Sequence, residues 1–193
     1  MTRIIRTLLA TAMVFGLFAA LAPQQADAQG FFRNLFGGGG GGKNSYIVRF
    51  SDAYRPGTII VSFGDRRLYF VHERGEAISY PIAVPAGKAS WAGTTHVSYK
   101  RVNPGWTPTP EMRRENPTLP AFVPGGHPQN PLGVRAMYLG DSLYRIHGTD
   151  APWTIGRDVT HGCVRLHNDH VVDLYNRTRV GAKVIVTQRR VLR

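Results

Sequence analysis

Thr58-Ile59-Ile60-Val61-Ser62-Phe63, Gly64-Asp65, Arg67-Leu68-Tyr69-Phe70-Val71, Arg74-Gly75 and Ala77-Ile78-Ser79-Tyr80 follow one another with almost nothing between. The three longer runs are rich in β-branched and aromatic residues, which fit a pleated, half-buried surface, and the two glycine-bearing pairs supply tight turns. This stretch predicts a meander of antiparallel strands. The same pattern resumes at Val134–Leu139, turns at Gly140-Asp141, and runs through Leu143-Tyr144-Arg145-Ile146 directly into His147. A closing strand is predicted over Lys183–Thr187, preceded by a short helix carrying Val171, Val172, Leu174 and Tyr175, with Asn168 as its N-cap. Residues 102–133 hold most of the prolines and few apolar runs, which predicts a long loop, and long loops inside compact domains are often functional. The fold class expected is mainly β with one or two short helices, and the chain contains no internal repeat.

Working toward the amino terminus, residues 29–43 contain Phe31-Phe32-Arg33-Asn34-Leu35-Phe36 and then Gly37 to Gly42, a composition expected of a flexible linker. Residues 1–28 read as a secretory signal: Arg3 and Arg6 precede the apolar stretch Thr7 to Leu21, and Ala26-Asp27-Ala28 fits a small-x-small cleavage site. The apolar stretch is shorter than the roughly 20 residues a bilayer span needs, so the expectation is export to the periplasm or cell envelope with no stable membrane span after cleavage. The catalytic or binding domain is expected over 44–193.

The full chain has 193 residues with 24 Lys+Arg against 12 Asp+Glu, a net charge of +12. That length holds one ordinary domain plus a leader, and the charge favours polyanionic surroundings. Export points toward anionic envelope polymers, and no nucleic-acid motif or basic run interleaved with aromatics argues for nucleic acid. One cysteine, Cys163, excludes an intramolecular disulfide framework and a cysteine-based zinc ribbon.

Two short pieces carry candidate chemistry: His147-Gly148-Thr149 at a strand end, and Thr160-His161-Gly162-Cys163-Val164-Arg165 thirteen to eighteen residues later. An imidazole beside a thiol can activate it and return a proton to a leaving group. Gly162 allows a tight turn that points backbone N–H groups at a developing oxyanion. The residues themselves leave two readings open for Cys163, a small buried hydrophobe or the nucleophile of acyl transfer through a thioester. A zinc reading of His147, His161, Cys163, His167 and His170 reproduces no common metal spacing, and His167 and His170 are expected on the exposed start of the last helix. No metal and no cofactor is expected. Tyr138, Trp106 and Trp153 are candidates to wall a substrate cleft.

Over about residues 45–188 the chain resembles the L,D-transpeptidases of the bacterial cell wall, the YkuD or ErfK/YbiS/YcfS/YnhG family. The resemblance rests on His147-Gly148-Thr149 and the run at 160–165, which match the family's histidine followed by a Ser/Thr-His-Gly-Cys signature. Asn130-Pro131-Leu132-Gly133, Tyr144-Arg145-Ile146-His147, Thr154-Ile155-Gly156 and Asp173-Leu174-Tyr175 support it in family order.

The resemblance implies a β-sandwich-like catalytic domain in which Cys163 is the nucleophile and His147 the general base, oriented by a backbone carbonyl near Gly148. Gly162 and Cys163 would supply the oxyanion hole, with His161 in a supporting place. From their residue types, Arg165 is a candidate either to pair with a stem-peptide carboxylate or to hold the loop through an ion pair, Thr160 to hydrogen-bond within the loop and line the substrate site, and Tyr138 to touch substrate. The partner implied is a peptidoglycan stem peptide. Its acyl group would pass to a diaminopimelate amine, giving a 3→3 cross-link, or to a lysine of an outer-membrane lipoprotein. Two alternatives remain at this level: a hydrolase of the same fold, acting as L,D-carboxypeptidase or detaching lipoprotein, and a non-catalytic basic wall-binding protein. The chain has no separate wall-binding repeat module, which leaves recognition of the polymer to the catalytic domain, the loop at 102–133 or the net charge.

Overall fold

The computed structural model describes residues 45–87 and 90–192. The signal expected over 1–28 and the linker expected over 29–43 lie outside the described residues. Strand is the main regular structure, as expected. The strands are β1 (Tyr46–Arg49), β2 (Ile59–Ser62), β3 (Arg67–Glu73), β4 (Glu76–Pro81), β5 (Val84–Pro85), β6 (Gly93–Val102), β7 (Arg135–Leu139), β8 (Arg145–His147), β9 (Asp158–Thr160), β10 (Val164–Arg165) and β11 (Lys183–Thr187). Two helices, α1 (Pro110–Glu115) and α2 (Asn168–Arg177), and a single 3-10 turn at Pro152–Thr154 complete the described elements. No helix among the described residues is long and apolar enough to cross a membrane.

Nine strands are hydrogen-bonded in the order β1-β4-β3-β2-β11-β6-β7-β8-β10, and β5 and β9 form a separate small pair. The meander expected over 58–80 is β2, β3 and β4, antiparallel, with one register shift between Val71 and Glu73 where β3 meets β4. Three pairings depart from the antiparallel expectation: β11 with β2, β10 with β8, and β5 with β9 are parallel. Long connections separate the members of each pair, which is what parallel pairing requires.

The ten-residue strand β6 joins the two halves of the sheet. Gly93–His96 pair with β11, Val97–Val102 pair with β7, and the register shifts between Val97 and Tyr99. Ile59, Val61, Leu68, Phe70, Ile78 and Tyr80 from one half therefore pack against Val97, Met137, Leu139, Ile146 and Val164 from the other, giving the sandwich-like core, with Val171 and Leu174 of α2 closing one side. The opposite face of β2–β4 carries a second cluster of Phe50, Ile60, Tyr69, Val71 and Ala77. Alternation along each strand divides the residues between the two clusters.

Helix α2 corrects two details of the sequence reading. His167 is its N-cap and makes no side-chain capping bond, while Asn168 is the first helical residue and reaches sideways. Its Oδ1 accepts the Thr149 N–H at 3.0 Å, and its Nδ2 donates to the Thr149 carbonyl at 2.8 Å. His170, expected at an exposed helix start, is buried against Tyr80 with ring centroids 5.7 Å apart. The Tyr80 hydroxyl donates to Asp173 Oδ2 at 2.5 Å, so this face of α2 turns inward to the sheet.

The loop at 102–133 is not devoid of structure. Thr109 caps α1, accepting the Met112 N–H at 3.2 Å, and Pro110 begins the helix, where its missing N–H is not needed. Trp106 and Val123 exchange two backbone bonds across the loop. Asn130, 1% exposed, donates to the Pro104 and Pro124 carbonyls and accepts the Leu132 N–H, so one side chain stands in for a missing strand ladder.

Candidate active site

The parallel pairing of β8 with β10 builds the centre of the site. Val164 lies opposite Ile146 and Arg165 opposite His147, which sets Cys163, one residue earlier, beside Arg145. Side chains alternate along a strand. Ile146 and Val164 are fully buried in the core, and Arg145, His147, Cys163 and Arg165 all face the other way and line one cavity of about 290 Å³. Trp106, Thr109, Met112, Glu115 and Leu119 of the long loop form its far wall. A second cavity, walled by Pro110, Glu111, Met112, Arg114, Ser142, Leu143 and Tyr144, also reaches Cys163, Arg145 and His161.

His147 is buried at 4% exposure, and its Nδ1–H donates to the Gly148 carbonyl at 2.6 Å. A carbonyl can only accept, so this contact assigns the proton to Nδ1 and leaves Nε2 with its lone pair. Burial first, and then the positive charge of Arg165, push the imidazole down to about 3, so it is neutral at neutral pH. Burial also raises the Cys163 thiol above its ordinary value of 9.0, while Arg145 and then Arg165 pull against that rise. The resting pair is a neutral thiol and a neutral imidazole. Sγ lies 3.9 Å from the Leu143 carbonyl and makes no hydrogen bond to His147 among the described residues. Catalytic hydrogen bonds of this kind often tighten only when substrate is bound.

The turn before the sulfur is fixed from three sides. Gly162 has φ +117°, and a Cβ there would collide with the Tyr144 ring. The Trp91 indole N–H donates to the Gly162 carbonyl at 2.9 Å, and the Trp91 and Tyr144 rings stack at 4.6 Å and 5°. Thr160 is buried, and its Oγ1 donates to the Cys163 carbonyl at 2.6 Å. Thr160 therefore braces the loop as well as lining the cavity.

His161 lines both cavities, but its Nε2 lies 2.9 Å from Glu115 Oε2 of α1, an exposed contact that ties the cysteine loop to the long loop. Arg165 donates from Nη1 to Thr154 Oγ1 at 2.9 Å and has the Asp150 charge near it. Tyr138 lines neither cavity. It stands opposite Arg145 in register, carries the guanidinium 4.9 Å over its ring, and stacks on Tyr99 with centroids 3.9 Å apart. Of the other two aromatic candidates, Trp106 walls the cavity that holds His147 and Trp153 is 70% exposed outside it. Of the histidines in the zinc reading, His147 and His161 line the cavity with Cys163, but their donor atoms are not close enough together with the sulfur to share one ion. Among the described residues, the group with donor atoms close enough for one ion is His72, Glu73 and Glu76 on the β3–β4 hairpin.

Arg145 and Trp91 are among the site residues to which the sequence reading gave no role. Arg145 has no carboxylate within ion-pair distance among the described residues, and its Nε is buried without a partner.

Comparison with known proteins places this geometry in context. The family model YkuD, described as the L,D-transpeptidase catalytic domain, matches residues 56–186. The "Probable L,D-transpeptidase ErfK/SrfK" of Escherichia coli K12 is 42% identical over 142 residues, covering 69% of this chain and 44% of its own. The chain spans about half the length of the curated relatives it matches first. A crystal structure from Brucella melitensis, described as a probable carnitine operon oxidoreductase, is 41% identical, covers 77% of this chain and 93% of its own, and superposes with a TM-score of 0.50. The catalytic domain of the Enterococcus faecium L,D-transpeptidase shares the fold at 17% identity, with a TM-score of 0.53 over 70% of this chain and 99% of its own.

Proposed function

The chain belongs to the YkuD family of L,D-transpeptidase catalytic domains, and from that premise we propose that it acts on peptidoglycan stem peptides in the cell envelope through a thioester on Cys163. The observation that carries the reading is the single row of Arg145, His147, Cys163 and Arg165 on the cavity face of β8 and β10.

The proposed first step is attack of Cys163 Sγ on the carbonyl of the third residue of a tetrapeptide stem, with the thiol proton passing to His147 Nε2. The tetrahedral oxyanion accepts hydrogen bonds from backbone N–H groups of Cys163 and Gly162, a type of contact whose loss elsewhere costs on the order of 3 kcal/mol. The C–N bond then breaks, His147 returns the proton to the departing amine, and D-alanine leaves. In the second half an acceptor amine attacks the thioester, gives its proton to His147, and expels the Cys163 thiolate, which is reprotonated. In the neutral resting pair the His147 Nε2 lone pair is available to accept the thiol proton. The signal-like residues 1–28 support an envelope location. The acceptor proposed is the side-chain amine of a second diaminopimelate or a lipoprotein lysine.

The test is mass spectrometry of products after incubating the purified protein, wild type and Cys163→Ala, with a disaccharide-tetrapeptide that is both donor and acceptor. A Cys163-dependent dimer lacking one D-alanine is the expected product. Tripeptide without dimer makes the protein a hydrolase, and dimer formation by Cys163→Ala overturns the thioester.

A further inference from the structure

Three neighbouring strands contribute one residue each to a row that ends at Cys163, the residue just before β10. Tyr99 of β6 pairs with Tyr138 of β7, Tyr138 pairs with Arg145 of β8, and the parallel register of β8 and β10 sets Arg145 beside Cys163. Residues directly opposite in neighbouring strands share a face about 5 Å apart, close enough for rings and guanidinium to stack continuously. They do so here: Arg101 lies 5.9 Å over Tyr99, the two tyrosines stack at 3.9 Å, and Arg145 lies 4.9 Å over Tyr138. The outer end of the row is open to solvent at Tyr99, and the inner end lines both cavities.

This row delivers a charge that the protein itself does not neutralise. Arg145 spends one N–H, from Nη1, on the Leu143 carbonyl at 3.1 Å. Its Nε is buried without a partner, and no carboxylate among the described residues pairs with it. A buried guanidinium donor left unpaired is unfavourable unless a ligand supplies the acceptor. Arg165, the other cation at the sulfur, also has a buried Nε without a partner, but its Nη1 donates to the Thr154 hydroxyl and the Asp150 charge lies near it, which leaves Arg145 the less compensated of the two. A planar guanidinium with free N–H groups is suited to a carboxylate. In an acyl-D-alanine the terminal carboxylate is separated by only the amide nitrogen and one α-carbon from the carbonyl that a neighbouring sulfur would attack.

Resting on the reading above, we propose that Arg145 receives the terminal carboxylate of the peptide donor, and that the Tyr99–Tyr138 stack is the device that positions its guanidinium beside Cys163. The site then selects donors in which the residue after the scissile carbonyl is the last. An amidated terminus lacks the charge, and a stem one residue longer carries the carboxylate too far away.

The experiment measures the rate of thioester formation with two tetrapeptides, one ending in a carboxylate and one in a carboxamide, for wild type, Arg145→Gln, Arg145→Lys, Tyr138→Leu and Tyr138→Phe. Wild type should favour the carboxylate by about 10- to 100-fold, the worth of a charge-assisted contact, and Arg145→Gln should bring the ratio to within about threefold. Tyr138→Leu should reduce the ratio while Tyr138→Phe, which keeps the ring under the guanidinium, preserves it. Equal loss on both donors in Arg145→Gln overturns the assignment, and an unchanged ratio in Tyr138→Leu overturns the positioning. Arg145→Lys keeps a charge at the position should the glutamine variant not fold. Calorimetric binding of the same two peptides to Cys163→Ala protein, with and without Arg145→Gln, separates this proposal from the thioester reading. If wild type reacts with neither donor, the thioester reading fails alone as long as the carboxylate peptide still binds better and loses that advantage in Arg145→Gln. Equal binding of both peptides overturns the role of Arg145.

Discussion

The Trp91 indole N–H and the Gly162 carbonyl are 2.9 Å apart, and this contact sets the direction of the next peptide N–H. In a trans peptide the carbonyl and the following N–H point opposite ways, so a carbonyl held toward Trp91 aims the Cys163 N–H away from it. Stacking of Trp91 on Tyr144, whose ring fills the space a Gly162 side chain would need, makes the indole a fixed partner rather than a passing one.

Replacing the indole while keeping a ring separates these roles. Trp91→Phe retains stacking against Tyr144 and loses the hydrogen bond. Thioester formation should slow about fivefold, consistent with roughly 1 kcal/mol for one such bond, while the unfolding midpoint shifts little. Stopped-flow acylation and thermal unfolding on the same sample check both parts.

Gly162→Ala should fail on structure as well as chemistry. The φ of +117° disfavours a Cβ, and the ring of Tyr144 occupies its place. A loss of about 2–4 kcal/mol in stability is expected from strain and overpacking together, and denaturant unfolding measures it. Tyr144→Ala in the same chain should recover part of the loss if the ring is the obstacle.

Acidification should weaken the fold in a way traceable to His147. Its folded pKa, about 3, lies below the ordinary 6.5, so between those values the unfolded chain binds more protons. Stability is then full above pH 6.5 and falls as pH drops toward 3, by about 1.4 kcal/mol per unit from this group. His170 is lowered by burial as well and acts in the same direction. Urea unfolding from pH 7 to pH 4 should show a shallower slope in His147→Gln than in wild type.

Alkylation of Cys163 reports the other half of the pair. Burial holds its thiol above 9.0, so the labelling rate of the folded protein should still be climbing at pH 9 instead of levelling near neutrality. Arg145→Gln keeps the backbone hydrogen bond that opposes the rise most but removes the guanidinium charge that opposes it next, and should move the climb to higher pH. A plateau already reached by pH 7 would show a preformed thiolate.

Asn130 tests the architecture of the long loop. Asn130→Leu leaves the Pro104 and Pro124 carbonyls and the Leu132 N–H without their partner in a buried site. The expected loss is about 2–4 kcal/mol. Because Trp106, Met112 and Leu132 wall the cavity, KM for the donor should rise more than kcat falls.

The strands at 58–80 and 183–187 were legible because apolar β-formers stand between sharp turn signals, with β2–β4 buried on both faces and β11 alternating between buried and more open positions. Strand β6 had no such signature: nine of its ten residues are at least partly exposed, with Val97 the buried exception, and it is a strand because β11 and β7 both bond to it. The helix α1 was hidden for the opposite reason, since Thr109-Pro110 is a good helix start set among prolines that read as loop. At the site, the glycine turn and the two histidine-bearing motifs were visible as residue types. The importance of Arg145 was not, because only the parallel register of β8 and β10 sets it beside the sulfur. Tyr138 was read as a substrate contact on its aromaticity, and its register partner shows that it touches Arg145 instead.

The position of β11 has a consequence for the order of events during synthesis. Among the described strands it is the last in sequence, yet it lies in the middle of the sheet, parallel to β2 and antiparallel to β6. Until Lys183–Thr187 have left the ribosome, the β2 edge of the β1–β4 ribbon and the β6 edge of the part bearing Cys163 have no strand between them, and the closing contact spans some 125 residues of chain. Such long-range closure is slow. In a growing chain the nine-stranded sheet therefore stays divided at its centre until β11 arrives, although the local β2–β4 meander can already pair.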